Sequence, residues 1–364
     1  MSERDTTPAL GTPGEPGRWE RAVDGARVAL QQHGWLDAKW SFLYGDDTSY
    51  APGEADDEAV AAANRRGRSG PMEPVHGPIV KAPVWTWEIP LYFWFGGIAA
   101  GSCFVALACD LAGDEKSARI ARRVSLGAVT PSPVLLIMDL GRPARFLNML
   151  RIFKPRSPMS MGAWCLVGFS TLQSAAVGLD LLGERKAAKA VNGTNAVLGG
   201  YLGSYTGVLL AATAVPLWSR SRLFLGPLFV ATATATGAAA TRLALVASGL
   251  PEGHPTRHAL GRVETGAMSA ELLLSAINER RLGDAGAALE HGRPGRQFRA
   301  AKWLARAGLG LRFARGRTGR PAHDVASVLY LLAGLLFRYA WVGAGRQSAA
   351  DHVTVARTHR GDRT

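Results

Sequence analysis

The run IPLYFWFGGIAAGSCFVALAC, residues 89–109, decides what kind of protein this is. It holds no charged residue over 21 positions, and a helix needs about 20 mostly apolar residues to cross a bilayer. Gly96, Gly97, Ala99, Ala100 and Gly101 within it are small enough to let another helix approach closely. Four further uncharged runs follow: Val124–Met138, Ser157–Leu179, Ala190–Ser219 and Leu223–Thr241. The second is short and carries Pro131 and Pro133, so it spans only with Ala121–Arg123 included and is expected to be kinked. The pattern predicts an all-α, polytopic transmembrane helical bundle of 6–8 spans with a polar N-terminal extension.

The uncertainty in that count lies in the C-terminal third. Ala259–Ile277 carries Glu264 and Glu271, seven apart and so on one helical face. It reads equally as a span with its acids turned to a cavity or as a surface helix. Residues 297–317, QFRAAKWLARAGLGLRFARGR, place bases at helical intervals among Trp303, Leu304, Leu309 and Phe313, which reads as an interfacial helix. Val325–Gly345 is long enough to cross, with Arg338 near one end, placed to snorkel toward headgroups.

Charge divides the chain. Residues 1–81 carry 13 acids and 9 bases; residues 82–364 carry 16 acids and 33 bases. The bases lie between apolar runs, as membrane flanks and lipid contacts require, so nucleic acid is not expected as a partner. The 1–81 extension is polar and rich in Gly, Pro and Ala, with no apolar stretch of the length a secretory signal needs. Trp19, Ala22, Val23, Ala26 and Leu30 fall at helical spacing, and Trp35, Trp40, Phe42 and Tyr44 cluster beyond them. Docking of those aromatics on a partner is favoured over a small local core, because the segment is too short to bury them alone. The rest of the extension reads as partly disordered linker. Residues 82–346 form the membrane domain and 347–364 a polar tail. Moving so charged an extension across a membrane is difficult, so the N-terminus is placed on the cytoplasmic side of the cell membrane.

The chemistry is bounded by absences. None of the eight histidines falls between Trp85 and Gly249, so the five secure spans offer no histidine to a haem. His254 and His258 are four apart, but Pro255 between them argues for a loop and a solvated pair. Cys103, Cys109 and Cys165 sit singly in apolar runs, with no CxxC pair for a cluster or disulfide framework. There is no P-loop, dinucleotide fingerprint or nucleophile elbow. No redox centre, haem, iron–sulfur cluster or metal site is expected in this chain.

Polar groups at the span ends are the positive signal. A carboxylate in a span costs about 3 kcal/mol at mid-helix on insertion scales and is usually paired or functional. Glu88 sits at the mouth of the first span and Tyr92 one turn beyond it on the same face. Asp139 ends the second span on the side shared with Glu88, and Tyr205 lies deep in the fourth. The alternatives are an aromatic belt at the membrane interface and an Asp139 that only caps a turn or pairs with Arg142.

Three stretches, WTWEIPLYFWFGGIAAGS, DLGRPARFLNMLRIFKPRSPMSMGAW (139–164) and YTGVLLAATAVPLW, together with YLLAGLLFRYAWVGAGR near the end, resemble the NrfD family of polysulfide-reductase-type membrane subunits. The resemblance covers about residues 84–346 and excludes the extension. It implies a haem-free, quinone-reactive subunit with two helix bundles and eight spans. Its implied partners are a ferredoxin-like iron–sulfur subunit, a molybdopterin catalytic subunit and membrane lipids, and its implied cofactor is a menaquinone or ubiquinone. By motif position Glu88 and Asp139 are candidate proton relays, and Tyr92, Arg142 and Tyr205 candidate quinone contacts. The bases Arg142, Arg145, Arg151, Lys154 and Arg156 are placed to grip lipid phosphates or an acidic partner face. A passive anchor without quinone turnover is the alternative. An ion-coupled transporter is a weaker one, because no internal repeat and no mid-span charge is evident in the five secure spans.

Overall fold

The computed structural model describes residues 80–140, 144–313, 322–351 and 354–355. All belong to one compact unit, Glu73–Thr364; the aromatic cluster and linker of the extension, Arg142 and most of the polar tail lie outside the described residues. Among the described residues the secondary structure is helical: α1 (Glu88–Leu111), α2 (Glu115–Val129), α3 (Pro131–Leu140), α4 (Ala144–Arg151), α5 (Pro158–Leu181), α6 (Arg185–Ala211), α7 (Pro216–Arg220), α8 (Arg222–Ala247), α9 (Pro255–Leu282), a 3-10 turn (Gly283–Leu289), α10 (Gly292–Phe313) and α11 (Ala322–Ala350).

With α2 and α3 taken as one bent rod, eight rods are each long enough to cross about 30 Å of hydrocarbon at 1.5 Å per residue. Five of them, α1, α2–α3, α5, α8 and α11, are also apolar enough. The bend in the second rod falls at Thr130–Pro131, where the missing proline N–H interrupts the helical ladder.

Short turns make consecutive rods antiparallel, so the bundle has a first end, at Glu88, and an opposite end. The turns after α1, α5 and α8, all at the opposite end, share one design. Gly113, Gly183 and Gly249 adopt φ of 79°, 83° and 77°. The next residue's N–H reaches back to the helix: Asp114 to Cys109 O, Glu184 to Leu179 O and Leu250 to Leu245 O. Glycine takes this left-handed conformation without steric cost, and the two backbone bonds satisfy carbonyls the helix leaves open. The helices that follow start on Asp114, which accepts from Ser117 N at 3.0 Å, and on His254–Pro255, where His254 accepts from Thr256 N.

The rods form two groups. α1, α2–α3, α5 and α6 pack together, as do α8, α9, α10 and α11, and the groups meet where α8 packs on α1 and α6, most extensively at the crossing of α1 and α8. That crossing is a backbone contact. A Cβ on Gly101 would collide with Ala233 O, and one on Gly237 would collide with the Gly101 backbone. Ser102 Oγ donates to Gly237 O at 3.2 Å across the same seam. The small residues of the run 89–109 are what make this approach possible.

Four readings from the sequence need correction. The run Ala190–Ser219 is not one span: its helix begins at Arg185 and stops at Ala211, and Pro216 starts the separate α7. Residues 297–313 do not lie flat on the surface. They belong to α10, which packs lengthwise on α11 through Phe298, Ala301, Ala305 and Gly308 and leaves Trp303 outside. Arg338 does not snorkel. It is 1% exposed, its guanidinium lies 3.6 Å over the Phe229 ring, and Nη2 donates to Phe229 O at 3.1 Å. Pro255 does not hold a loop at His254–His258; it opens α9, with His258 inside the helix. Of the two readings left open for α9, the inward placing of its acids is what the structure shows, since Glu264 and Glu271 are both buried; α9 is not among the helices apolar enough to cross by composition.

Buried ions replace apolar bulk at two places in the opposite half. In the first group Arg122 grips two carboxylates: Nη1 to Asp110 Oδ2 at 2.7 Å, and Nε and Nη2 to Asp180 at 2.6 and 2.9 Å. Gln173 Nε2 donates to Arg122 O, and Asn195 donates to Gln173 Oε1 at 2.8 Å, so α2, α5 and α6 are cross-linked by polar groups. The second group holds Glu264, Arg312, Arg242, Asp324 and Arg257 in one connected set.

Candidate functional site

The first end of the α1–α6 group gathers most of the residues singled out from sequence. Glu88 is the first residue of α1 and is fully buried; its carboxylate accepts from Thr86 Oγ1. An acid at a helix N-terminus is favoured by the helix dipole, which partly offsets its burial. Tyr92, one turn on, is 2% exposed and packs with Ile89, Phe93, Leu135 and Cys165. Tyr205 reaches the same region from α6. It stacks on Tyr201 with ring centroids 5.9 Å apart. A Cβ on Gly162 would collide with the Tyr205 ring, so glycine at the start of α5 makes the space this phenol occupies. Tyr92 and Tyr205 are close enough to interact electrostatically, with Cys165 beside both. Neither tyrosine hydroxyl makes a hydrogen bond among the described residues.

Asp139 is half-buried near the end of α3, which packs on α1, so it shares this end of the bundle. The structure therefore brings Glu88, Tyr92 and Tyr205 to one buried region and Asp139 to the same end. Arg142 lies outside the described residues. Beyond it, α4 leads to a loop where Arg151, Lys154 and Arg156 are all exposed. Ser160 Oγ ties that loop by accepting from Lys154 N at 3.0 Å and donating to Ile152 O at 3.3 Å. Exposed Phe153 packs edge-on against exposed Trp164, ring centroids 6.0 Å apart. Cations and aromatics in one exposed rim suit a headgroup layer or a docked protein.

Sequence reasoning missed how this end is closed. Trp85 stacks on Trp218 at 5.5 Å, and Trp218 Nε1 donates to Trp341 O at 3.0 Å. Arg346 Nη1 donates to Trp85 O and Tyr339 Oη to Trp87 O, both at 3.0 Å. Residues 80–87 thus strap the start of α1 to the last turns of α11 and hold Glu88 in place. Of the tryptophans that read as an interface belt, Trp85 and Trp94 are side-chain ties, to Trp218 and to Leu331 O, while Trp87 keeps its ring exposed and is tied through its backbone carbonyl.

Among the described residues no group of three His, Cys, Asp or Glu side chains could hold a metal. What the site offers is two phenol donors and buried carboxylate in an apolar wall.

Helices throughout the described residues, five of them long and apolar enough to cross a bilayer, define a multi-pass membrane protein. Residues 76–279 match the family described as polysulphide reductase, NrfD, and the chain belongs to that family. It is accordingly a membrane subunit of a quinone-reactive oxidoreductase complex. The match ends within α9, so α10 and α11 complete the bundle beyond it. No curated protein matches the chain.

Proposed function

We propose that this subunit exchanges electrons between the quinone pool of the cell membrane and an iron–sulfur subunit docked at the first end, which in turn serves a molybdopterin enzyme. The observation that supports this most is that two buried phenols, Tyr92 and Tyr205, neither hydrogen-bonded among the described residues, lie at the same end of the bundle as buried Glu88, one turn before Tyr92. A menaquinone or ubiquinone supplies two-electron, two-proton chemistry. Tyr92 and Tyr205 orient its carbonyl oxygens by donation, with Arg142 as a further donor. Glu88 and Asp139 hold and pass protons between the site and the aqueous face. The apolar side chains of Phe93, Phe169 and Leu166 exclude water and lodge the apolar ring. The rim of Arg151, Lys154 and Arg156 steers the partner, the N-terminal extension adds a second docking element, and both face the cytoplasm.

The test is quinol-linked turnover in the intact complex. Tyr92→Phe and Asp139→Asn are expected to slow it about tenfold, the loss of one charge-linked or buried hydrogen bond, while subunit stoichiometry and electron transfer to a soluble acceptor stay constant. Unchanged quinol turnover in both variants would leave the passive-anchor reading standing.

A further inference from the structure

The opposite end of the α8–α11 group contains a cavity of about 580 Å³ whose chemistry the quinone reading does not use. Arg242, Arg257 and Arg312 line it, from near the end of α8, the start of α9 and the last turn of α10. Their side chains are only 4%, 9% and 7% exposed. Their charge is incompletely compensated. Arg312 pairs with Glu264, while Arg242 (2.7 Å) and Arg257 (3.3 Å) share the one carboxylate oxygen Oδ1 of Asp324. At the wall, Arg262 and Glu252 offset each other in formal charge, and His258 and His323 add imidazoles, with His323 Nδ1 accepting from Arg312 Nη1 at 3.3 Å. Among the described residues this leaves three buried guanidinium groups against two carboxylates. Nε of Arg242, Arg257 and Arg312 has no hydrogen-bond partner among the described residues.

A buried cation in excess is costly unless an anion joins it. The buried core of the first group's cluster is arranged the other way: there one guanidinium, Arg122, serves two carboxylates, Asp110 and Asp180. The cavity also has the form of a headgroup site. His258, Arg262, Thr265 and Ser269 run down one face of α9 at helical spacing, and Phe313 supplies an apolar side. It opens near the end of α8, the start of α9 and the last turn of α10, and runs along α9 as far as Ser269. Guanidinium groups present paired N–H donors that match phosphate oxygens.

We propose that this cavity binds a phosphate-bearing anion, with an anionic phospholipid headgroup and free phosphate as its two possible sources. The experiment uses the full-length protein in neutral detergent, read by native mass spectrometry and by thermal unfolding. Phosphatidylglycerol, phosphatidylcholine and inorganic phosphate are titrated at fixed ionic strength. Saturable binding and stabilisation by phosphatidylglycerol, but not phosphatidylcholine, identifies the lipid source; the same response to inorganic phosphate alone identifies the free ion. In either case Arg262→Gln, an exposed wall position, is expected to weaken binding five- to tenfold without lowering the unfolding temperature of the unliganded protein, and His258→Ala with Arg262→Gln further. Arg185→Gln, at the opposite end of the other group, is expected to bind as wild type. Equal retention of phosphatidylcholine, equal weakening by Arg185→Gln, wild-type binding by the Arg262 variant, or no binding of any probe would each overturn the proposal.

Discussion

Replacing Arg122 by Gln removes the one cation that holds Asp110 and Asp180. Both carboxylates are nearly inaccessible, with side chains 4% and 2% exposed, and the arginine makes three bonds of 2.6–2.9 Å to them. Breaking a buried pair by deleting one partner costs about 3–5 kcal/mol, because the survivor is left charged without water. Here two carboxylates survive and repel one another, so the upper part of that range applies. At about 2–4 °C per kcal/mol, unfolding should fall by roughly 8–20 °C. The assay is built into the chain: Cys103, Cys109 and Cys165 are free and buried, so a thiol-reactive dye reports unfolding on heating in detergent. Two controls bracket the result. Arg185→Gln deletes an ion pair to Glu115 whose side chains are 59% and 57% exposed, and should change little. Asp110→Asn with Asp180→Asn added to Arg122→Gln should recover most of the loss, since a neutral set of similar shape carries no stranded charge. A single variant that unfolds within 2 °C of wild type (about one kcal/mol or less) would refute the view that this cluster clamps α1, α2 and α5 together.

Other expectations follow from the same contacts. Gly101→Val should abolish folding or leave the protein aggregated on size-exclusion chromatography, because its side chain meets the α8 backbone, whereas Gly96→Ala, with nothing within 4 Å, should behave as wild type. Arg338→Ala removes a guanidinium stacked on Phe229 and leaves buried Glu271 with less positive charge nearby. Unfolding should fall by a few kcal/mol, and adding Glu271→Gln should return part of it. At Asp114, burial acts to raise the carboxyl's pKa, but hydrogen bonds from Ser117 and Thr256 outweigh it and hold the pKa below the usual carboxylate value. A lowered folded pKa gives stability that is present above about pH 4 and lost as pH falls through the folded value. Asp114→Ala, which removes the cap, should therefore cost about 1 kcal/mol at pH 7, and the difference from wild type should shrink on acidification in a chaotrope melt.

The first half of the bundle was legible because it obeys the membrane's simplest rule. Runs such as 89–109 and 157–179 are uncharged, and length alone places them. The second half was not, because its charges are compensated by residues far away in sequence. Arg312 finds Glu264 at a separation of 48 residues, and Arg338 finds the Phe229 carbonyl and ring at 109. Read one at a time, such residues look like reasons for a helix to leave the bilayer. The misjudged end of the fourth run has a local cause: Ala211 to Val215 contains no charge, so nothing in composition marks the break that Pro216 makes possible. At the site, Glu88 and Tyr92 were readable as neighbours because helical spacing relates them. The meeting of Tyr92 with Tyr205 was not readable from spacing, since it depends on Gly162 vacating the space for the second ring. The strap of residues 80–87 on α11 was also beyond reach, being a contact between opposite ends of the domain.

The crossing of α1 and α8 has a mechanical meaning. With Gly101 and Gly237 in backbone contact and Ser102 bonded across the join, one group cannot slide past the other without driving a Cβ into a carbonyl. The tie from Trp85 and Trp87 to α11 blocks the complementary rocking motion at the first end. Carriers that alternate access depend on one half rocking against the other. A molecule braced at both places is suited to the opposite task, holding a donor and an acceptor at a constant separation, on which the rate of electron tunnelling depends exponentially.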